Sequence, residues 1–345
     1  MNTGVVGKEV RELCPKRMLN GPCGGIRGEL CEVDDFQCPF YKAFENLRSA
    51  NYLKPLLDKG FKVECEPGDV ELSGYAKMLE EGGPVLSTEV EPWSLKDVQF
   101  FETLKDKYHA FNVTDNPFGK PHVSSVAVSI ELKRRGMEVI AQLTTRSRTR
   151  EALASDLMSL NAFGVTNVLA LTGDWAPHSV FDLDAVRLVC LISLMNKGLL
   201  WDGSEIEPTT LVPGVASNPY FKYEKERLLR KARAGAVFAQ TQPIFTSEIV
   251  RSLKEYPVTT VPSLLISTSR KVVRSLKEKG VKVPKEYEEG LIKSKAEGKA
   301  DEFVLEYNLK LAEEILSKEL KGIHVMAPGR WDLLVKFGNA LRELL

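Results

Sequence analysis

The sequence predicts an α/β fold, namely a (β/α)8 TIM barrel preceded by a small Cys-rich metal- or cluster-binding module. Eight short apolar segments alternate with amphipathic segments over about 260 residues, which is the size and rhythm of such a barrel. Polar residues follow several of the apolar segments, where a barrel places its active site. An open, doubly wound sheet would alternate in the same way, but no Gly-x-Gly-x-x-Gly follows the first segment.

The strand predictions come from apolar runs of buried-strand length. The clearest run ends at Leu171 and is followed by Gly173 and the ionisable Asp174. In chain order, the strands are predicted at residues 84–91, 110–115, 138–144, 167–172, 210–216, 237–242, 260–266 and 323–327.

Helices are predicted where apolar residues recur every three or four positions, as they do in 122–135 and 332–345. Residues 281–320 have the same pattern and are predicted to form a helical insertion before the last strand. Glycine is a frequent residue just beyond the end of a helix. Four glycines are expected to end helices in this way: Gly136, Gly198, Gly235 and Gly280.

We divide the chain into three parts. Residues 1–45 form the Cys-rich metal or iron–sulfur module, residues 46–83 a mostly helical connecting segment, and residues 84–345 the barrel. A turn is expected around residues 66–69 in the connecting segment.

Composition excludes several classes of function. The 345 residues contain 47 basic and 47 acidic side chains, so no net charge attracts nucleic acid or an acidic membrane. No apolar run approaches the ~20 residues that span a bilayer, and the N-terminus has no apolar signal core. We therefore expect a cytoplasmic protein that binds neither nucleic acid nor membrane.

Four of the six cysteines lie within the first 38 residues, in the spacing C-x8-C-x7-C-x6-C. In a reducing compartment such a group favours metal or cluster binding over disulfides. Four thiolates hold either zinc or a [4Fe–4S] cluster, and the absence of a short C-x2–4-C pair favours the cluster. Buried thiols without a ligand are the alternative. The four candidate ligands are Cys14, Cys23, Cys31 and Cys38; Cys65 and Cys190 are expected to be packing residues.

Several motifs, in the right order along the chain, resemble the methylenetetrahydrofolate reductase family of bacteria and archaea. The N-terminal Cys-Pro-Lys and Asn-Gly-Pro-Cys-Gly-Gly motifs resemble the small partner subunit of the acetogen-type enzymes, which is associated with an iron–sulfur cluster. The barrel motifs are Ser-Thr-Glu-Val-Glu-Pro at 87–92, Asn-Val-Thr-Asp-Asn-Pro at 112–117, Gln-Leu-Thr-Thr-Arg at 142–146, Asn-Val-Leu-Ala-Leu-Thr-Gly-Asp at 167–174, and the pair 231–236 and 241–245.

The resemblance implies an oxidoreductase that converts the methylene bridge of a 5,10-methylene-tetrahydropterin to a 5-methyl group. The pterin is tetrahydrofolate or tetrahydromethanopterin, and a reduced flavin (FAD or FMN) supplies the hydride. It further implies NAD(P)H or reduced ferredoxin as electron donor, a redox protein that docks on the Cys-rich module, and an oligomer.

The resemblance also assigns roles to residues. Glu89 is the acid that protonates N10 and opens the five-membered ring, with Glu91 as its rival two residues on. Asp174 lies near the pterin and the flavin and favours the cationic iminium. The flavin contacts are Thr114, Gln142, Asp174 and Lys231, and the substrate contacts are Gln242 and Arg330. The four scattered histidines are expected to be surface or core residues.

Some positions depart from the better-known bacterial pattern. Thr172 replaces an arginine, Gln142 replaces a histidine, and residues 214–219 replace a flavin-contacting segment with Tyr and His. These changes weaken the case for FAD and make FMN a candidate. Two other functions stay open: a pterin-binding, methyltransferase-type barrel, and a non-catalytic subunit of a larger one-carbon complex.

Overall fold

The computed structural model describes residues 8–49, 54–57 and 60–345, so parts of the predicted module and connecting segment lie outside it. Eight parallel strands form a closed barrel in which each strand pairs with its neighbours in the sequence and the last pairs with the first. All eight strand predictions are confirmed to within a few residues. The strands are β1 Val85–Val90, β2 Ala110–Val113, β3 Val139–Thr144, β4 Asn167–Leu171, β5 Val212–Ser217, β6 Phe238–Pro243, β7 Thr259–Leu265 and β8 Gly322–Met326.

Helices follow the strands and surround the barrel. The predicted helices at 122–135, 281–320 and 332–345 are confirmed, the second as two consecutive helices. The helices are α1 Lys8–Leu13, α2 Pro39–Ser49, α3 Gly74–Glu81, α4 Leu95–Glu102, α5 Ser125–Arg134, α6 Arg150–Ala162, α7 Ala185–Asn196, α8 Glu224–Arg233, α9 Glu248–Leu253, α10 Arg270–Glu278, α11 Lys285–Ala296, α12 Ala300–Leu316 and α13 Trp331–Glu343.

The four glycines predicted to end helices all have positive φ, between 72° and 117°. Gly280 also permits a close approach, since a Cβ there would lie 2.9 Å from the carbonyl oxygen of Ile26. The end of α10 therefore packs against the Cys-rich segment. In the part of the chain that the structure describes, no helix is long and apolar enough to cross a bilayer.

The connecting segment is not mostly helical, contrary to prediction. Between residues 60 and 73 it is irregular, and α3 is the one helix between residue 60 and β1. Its charged and Pro/Gly-containing stretch has no continuous apolar stripe, so nothing stabilises a long helix there. Cys65, expected to be a packing residue, instead forms a disulfide with Cys190 of α7. That pairing was missed because 125 residues separate the two cysteines.

Helix α3 closes the bottom of the barrel. Its buried residues pack inside the N-terminal ends of the strands, and the ring of Tyr75 meets that of Phe238 edge-on at 5.3 Å. Gly214 is required opposite, because a Cβ at that position would lie 2.1 Å from the Phe238 ring. With the bottom filled in this way, the C-terminal mouth is the end at which a ligand can enter.

We predict that Tyr75→Ala lowers the free energy of unfolding by about 3–5 kcal/mol, because it opens a cavity under the strands. Lys77→Ala on the exposed face of α3 is the matched control and should change it by less than about 0.5 kcal/mol. Denaturant unfolding followed by circular dichroism measures both. Equal effects of the two substitutions would contradict the role of α3 as the lower plug.

Candidate active site at the barrel mouth

A cavity of about 530 Å³ opens at the C-terminal ends of the strands, within the range of small-molecule sites. It brings together side chains from β1, β3, β6, α8 and the loops after β2 and β4. Of the predicted site residues in the barrel, seven line it: Glu89, Glu91, Thr114, Gln142, Asp174, Lys231 and Gln242.

Glu89 lies on the inner face of β1, about one-fifth exposed. The side-chain amide of Gln142 donates a hydrogen bond to its Oε1 at 3.0 Å. On the other side, Nε2 of His324 lies 3.9 Å from the same oxygen. The carboxylate is therefore held between an amide donor and an imidazole and faces the cavity.

His324 is fully buried on β8 and lines the cavity, so it is more than a core residue. Its Nδ1 lies 3.0 Å from the hydroxyl of Ser87, whereas Nε2 has no hydrogen-bond partner among the described residues. The sequence hid this contact because β1 and β8 are joined only by barrel closure, 237 residues apart.

Glu91 follows Glu89 on the same face of β1. Burial, and secondly the charge of Glu89, raise the pKa of Glu91 to about 7. A carboxyl group that holds its proton near neutral pH is suited to act as a general acid. Glu91 therefore stays a rival to Glu89 for the acid role.

Asp174 follows the turn that Gly173 forms with a φ of 90°. The carboxylate forms an ion pair with Lys279 of α10 at 2.9 Å. Arg146 donates to the Asp174 carbonyl at 2.8 Å and to the Asn116 carbonyl at 2.7 Å. These contacts fix the loop that carries the acidic side chain at the mouth.

Lys231 of α8 is buried, and its Nζ donates to the carbonyl of Ala216 at 2.5 Å. Burial and the neighbouring Arg227 lower the pKa of Lys231 to about 7. An anionic ligand group at this point would stabilise its charged form.

Below the mouth lies a polar network that sequence reasoning missed. Asn112 donates to the side-chain oxygen of Gln240 at 2.5 Å, and Gln240 donates to the hydroxyls of Ser87 and Tyr75 at 3.4 Å. The alternation of each strand could have indicated it, because these residues share the inner face with the candidate site residues.

Arg330 is not brought to the cavity. Its guanidinium forms ion pairs with Asp301 at 2.7 Å and Asp332 at 2.8 Å, and it donates to Thr268 at 3.0 Å. These two carboxylates and the β7–α10 loop satisfy most of its donors. Its predicted contact with substrate would require it to leave these pairs.

The four N-terminal cysteines line one small cavity together. Backbone amides donate to each sulfur: Lys16 and Met18 to Cys14, Gly25 to Cys23, Val33 to Cys31 at 3.5 Å, and Phe40 and Tyr41 to Cys38. Burial raises the pKa of Cys14, Cys23 and Cys38.

Among the described residues, no group of three or more His, Cys, Asp or Glu side chains is arranged to hold a metal ion. The cysteine sulfurs surround a cavity instead of converging on one point. This arrangement does not match a single tetrahedral zinc, whose four sulfurs each lie about 2.3 Å from the metal.

The Cys-rich segment lies against the mouth. The backbone amides of Leu19 and Asn20 donate to the Asp184 carboxylate at 3.0 and 3.1 Å, and Asn218 donates to the Gly24 carbonyl at 3.0 Å. Three residues line both the cysteine cavity and the mouth cavity: Lys16, Cys23 and Glu32.

Comparison with known proteins gives two family matches. A family model described as methylenetetrahydrofolate reductase matches residues 76–333. A second, described as methylene-tetrahydrofolate reductase C terminal, matches residues 3–64, at the opposite end of this chain from what its description says. No curated protein matches the sequence.

Solved structures agree on the fold. A Clostridium thermocellum protein, described as binding two copies of 5-methyl-5,6,7,8-tetrahydrofolic acid, has a TM-score of 0.55 at 13% identity and covers 79% of this chain and 100% of its own. Oxaloacetate acetylhydrolase has a TM-score of 0.44 at 10% identity, covering 78% of this chain and 84% of its own.

We predict that Glu91→Gln stabilises the protein at pH 8 but not at pH 4. The raised pKa of Glu91 means that the folded state keeps a proton that the unfolded state releases above about pH 4.5. Stability from this group is complete below that pH and is lost as the pH rises through about 7. We expect a gain on the order of 1–3 kcal/mol at pH 8.

Thermal unfolding across this pH range measures the effect. Glu80→Gln is the matched control, since Glu80 is exposed on α3, and its curve should parallel that of the unsubstituted protein. A Glu91→Gln curve that also runs parallel at every pH would contradict the raised pKa.

Proposed function

We propose, because the chain belongs to the methylenetetrahydrofolate reductase family, that it reduces a 5,10-methylene-tetrahydropterin to the 5-methyl form with hydride from a reduced flavin. The observation that carries the proposal is the convergence of Glu89, Gln142 and Asp174 in one cavity at the mouth. These residues come from three strand ends, which is how a barrel builds a catalytic site.

The reaction needs a proton at N10 of the pterin and stabilisation of the positive charge that develops at N5. Glu89 faces the cavity and is oriented by Gln142, so it is placed to deliver the proton. Asp174 on the neighbouring side supplies negative charge near the iminium. Gln242 of β6, half-buried in the cavity wall, is suited to hydrogen-bond the pterin ring.

Protonation of Glu89 has two nearby sources. Glu91 holds its proton up to about pH 7, and His324 presents Nε2 to Glu89 at 3.9 Å, with Ser87 on its other nitrogen. Either group can return a proton to Glu89 after it has protonated N10. The surrounding residues therefore support Glu89 as the acid, with Glu91 as reservoir or rival.

A flavin would be held by Thr114, Gln142, Asp174 and Lys231, which all line the mouth. It would supply hydride from its reduced ring. Lys231 fits an anionic part of the flavin, because burial holds its pKa near 7 and a phosphate would stabilise the charged ammonium. The mouth is also walled by the Cys-rich segment, which favours the smaller FMN over FAD.

The cysteine cavity fits a [4Fe–4S] cluster better than zinc. Amide donors at every sulfur are typical of iron–sulfur sites, where such hydrogen bonds stabilise the cluster and set its potential. The cluster would be held by Cys14, Cys23, Cys31 and Cys38 and would supply one-electron chemistry. Such a centre suits reduced ferredoxin, or a similar carrier docking on the Cys-rich segment, as the donor; NAD(P)H is the alternative.

A second candidate is a pterin-binding barrel without hydride transfer. The Clostridium thermocellum protein with the same fold, described as binding a methylated folate, favours this alternative. Its 13% identity supports the fold alone, so we rank the reductase first.

We predict that Glu89→Gln lowers kcat for methylene reduction by about 10²- to 10⁴-fold, because the amide cannot protonate N10. The dissociation constant for 5-methyltetrahydrofolate should change little, since Gln keeps the size of Glu. Anaerobic turnover and isothermal titration calorimetry measure the two quantities.

Glu91→Gln and the exposed Glu71→Gln complete the comparison. Glu71→Gln should leave kcat unchanged. A larger loss with Glu91→Gln than with Glu89→Gln would transfer the acid role to Glu91. Pterin binding without any flavin or turnover, even after reconstitution, would replace the reductase by the binding protein.

We also predict that anaerobically purified protein contains iron and labile sulfide, and that Cys14→Ser removes most of the iron while bound flavin is retained. The matched control is the double substitution Cys65→Ser and Cys190→Ser, whose sulfurs lie outside the cysteine cavity and should leave iron unchanged. Elemental analysis and the visible spectrum decide, and zinc in place of iron would contradict the cluster.

A further inference from the structure

The wall between the cysteine cavity and the barrel mouth contains a buried ion pair. Lys16 is 4% exposed and Glu32 is 12% exposed, and their charged groups are in direct contact. Lys16 follows Cys14 by two residues, whereas Glu32 follows Cys31 directly. Both residues line the two cavities, as does Cys23.

Each member of the pair is tied to one of the two sites. Nζ of Lys16 donates to the carbonyl of Gly173 at 2.7 Å, immediately before Asp174. Glu32 accepts a hydrogen bond from the backbone amide of Trp175 at 3.2 Å and lies 3.5 Å from the sulfur of Cys23. The pair therefore joins the β4–α7 loop of the mouth to a candidate cluster ligand.

Glycine makes this arrangement possible. A Cβ on Gly25 would lie 1.6 Å from Oε2 of Glu32, so the carboxylate occupies the space of the missing side chain. Any other residue at this position would displace Glu32 from Lys16 and Cys23. Gly25, which the cysteine motif contains, is thus needed for the pair as well as for the loop.

A buried pair of opposite charges is weak evidence for stability, because desolvation offsets much of the attraction. Its effect on a neighbouring charge is larger, since the low dielectric of the interior strengthens each interaction. A cluster that gains an electron gains a negative charge beside these two groups. Lys16 favours that reduced state and Glu32 opposes it, in proportion to their closeness to the sulfurs.

We propose that Lys16 and Glu32 are positioning residues that set the reduction potential of the four-cysteine centre from the wall it shares with the barrel mouth. The inference rests on the cluster within the proposed function, and not on the hydride step. The pair adds no ligand to the centre; it acts through its charge and through the position of Cys23.

The test is the midpoint potential of the cluster, titrated anaerobically and followed by electron paramagnetic resonance, in protein without pterin or flavin. Lys16→Met should lower the ratio of reduced to oxidised cluster about tenfold at a fixed potential, about 59 mV for a one-electron couple. Glu32→Gln should shift the midpoint in the opposite direction. The double substitution should return it towards the original value, because both charges are then absent.

Lys279→Met is the matched control: Lys279 lines the same mouth and pairs with Asp174, but it does not line the cysteine cavity. Its midpoint should shift by less than one third of the Lys16→Met shift. Iron content and unfolding temperature confirm that each variant is intact, and if Lys16→Met does not fold, the sign of the Glu32→Gln shift decides.

Unchanged midpoints, shifts of the same sign in Lys16→Met and Glu32→Gln, or unsubstituted protein that binds no cluster would each overturn the inference. Its failure is separable from failure of the proposed function. The potential needs no turnover, and a reductase with unchanged midpoints in these variants would keep its activity and lose only this role of the pair.

Discussion

The relation between the Cys-rich segment and the barrel depends on one buried carboxylate. Asp184 caps α7, accepting a hydrogen bond from the backbone amide of Arg187, and also accepts hydrogen bonds from the amides of Leu19 and Asn20. Burial disfavours the charge of Asp184, but Arg187 and these donors outweigh it and hold its pKa below the usual value. Because the N-terminus of a helix favours negative charge, the same group ends the β4–α7 loop and anchors the segment over the mouth.

That anchor gives the mouth walls of two origins. The strand ends supply the acids and amides that can act on a pterin, whereas the Cys-rich segment supplies Lys16, Cys23 and Glu32. The small apolar cluster beneath the cysteines also includes Phe221 and Tyr223 of the barrel. The N-terminal segment is too short to bury a core of its own, so its folding and its position on the barrel are stabilised by the same contacts.

The barrel and most of its candidate site could be predicted from the sequence, because buried strands and their polar ends leave local patterns. Glu89 and Asp174 follow such runs directly. The contacts that close the barrel could not be predicted, since His324 reaches Glu89 only through the pairing of β1 with β8. Arg330 shows the opposite limit: its motif indicated a substrate contact, and two nearby carboxylates hold it outside the cavity.

The arrangement of the walls also constrains how a substrate reaches the site. The Cys-rich segment covers the mouth beside the loops after β4 and β5, where Lys16 is buried. On the remaining side the cavity is lined by the exposed Lys120 and by Lys271 of α10. A pterin therefore enters between these lysines, whose charges attract acidic groups on its side chain. Electrons supplied through the cysteine centre arrive from the covered side, so the two reactants need not compete for one entrance.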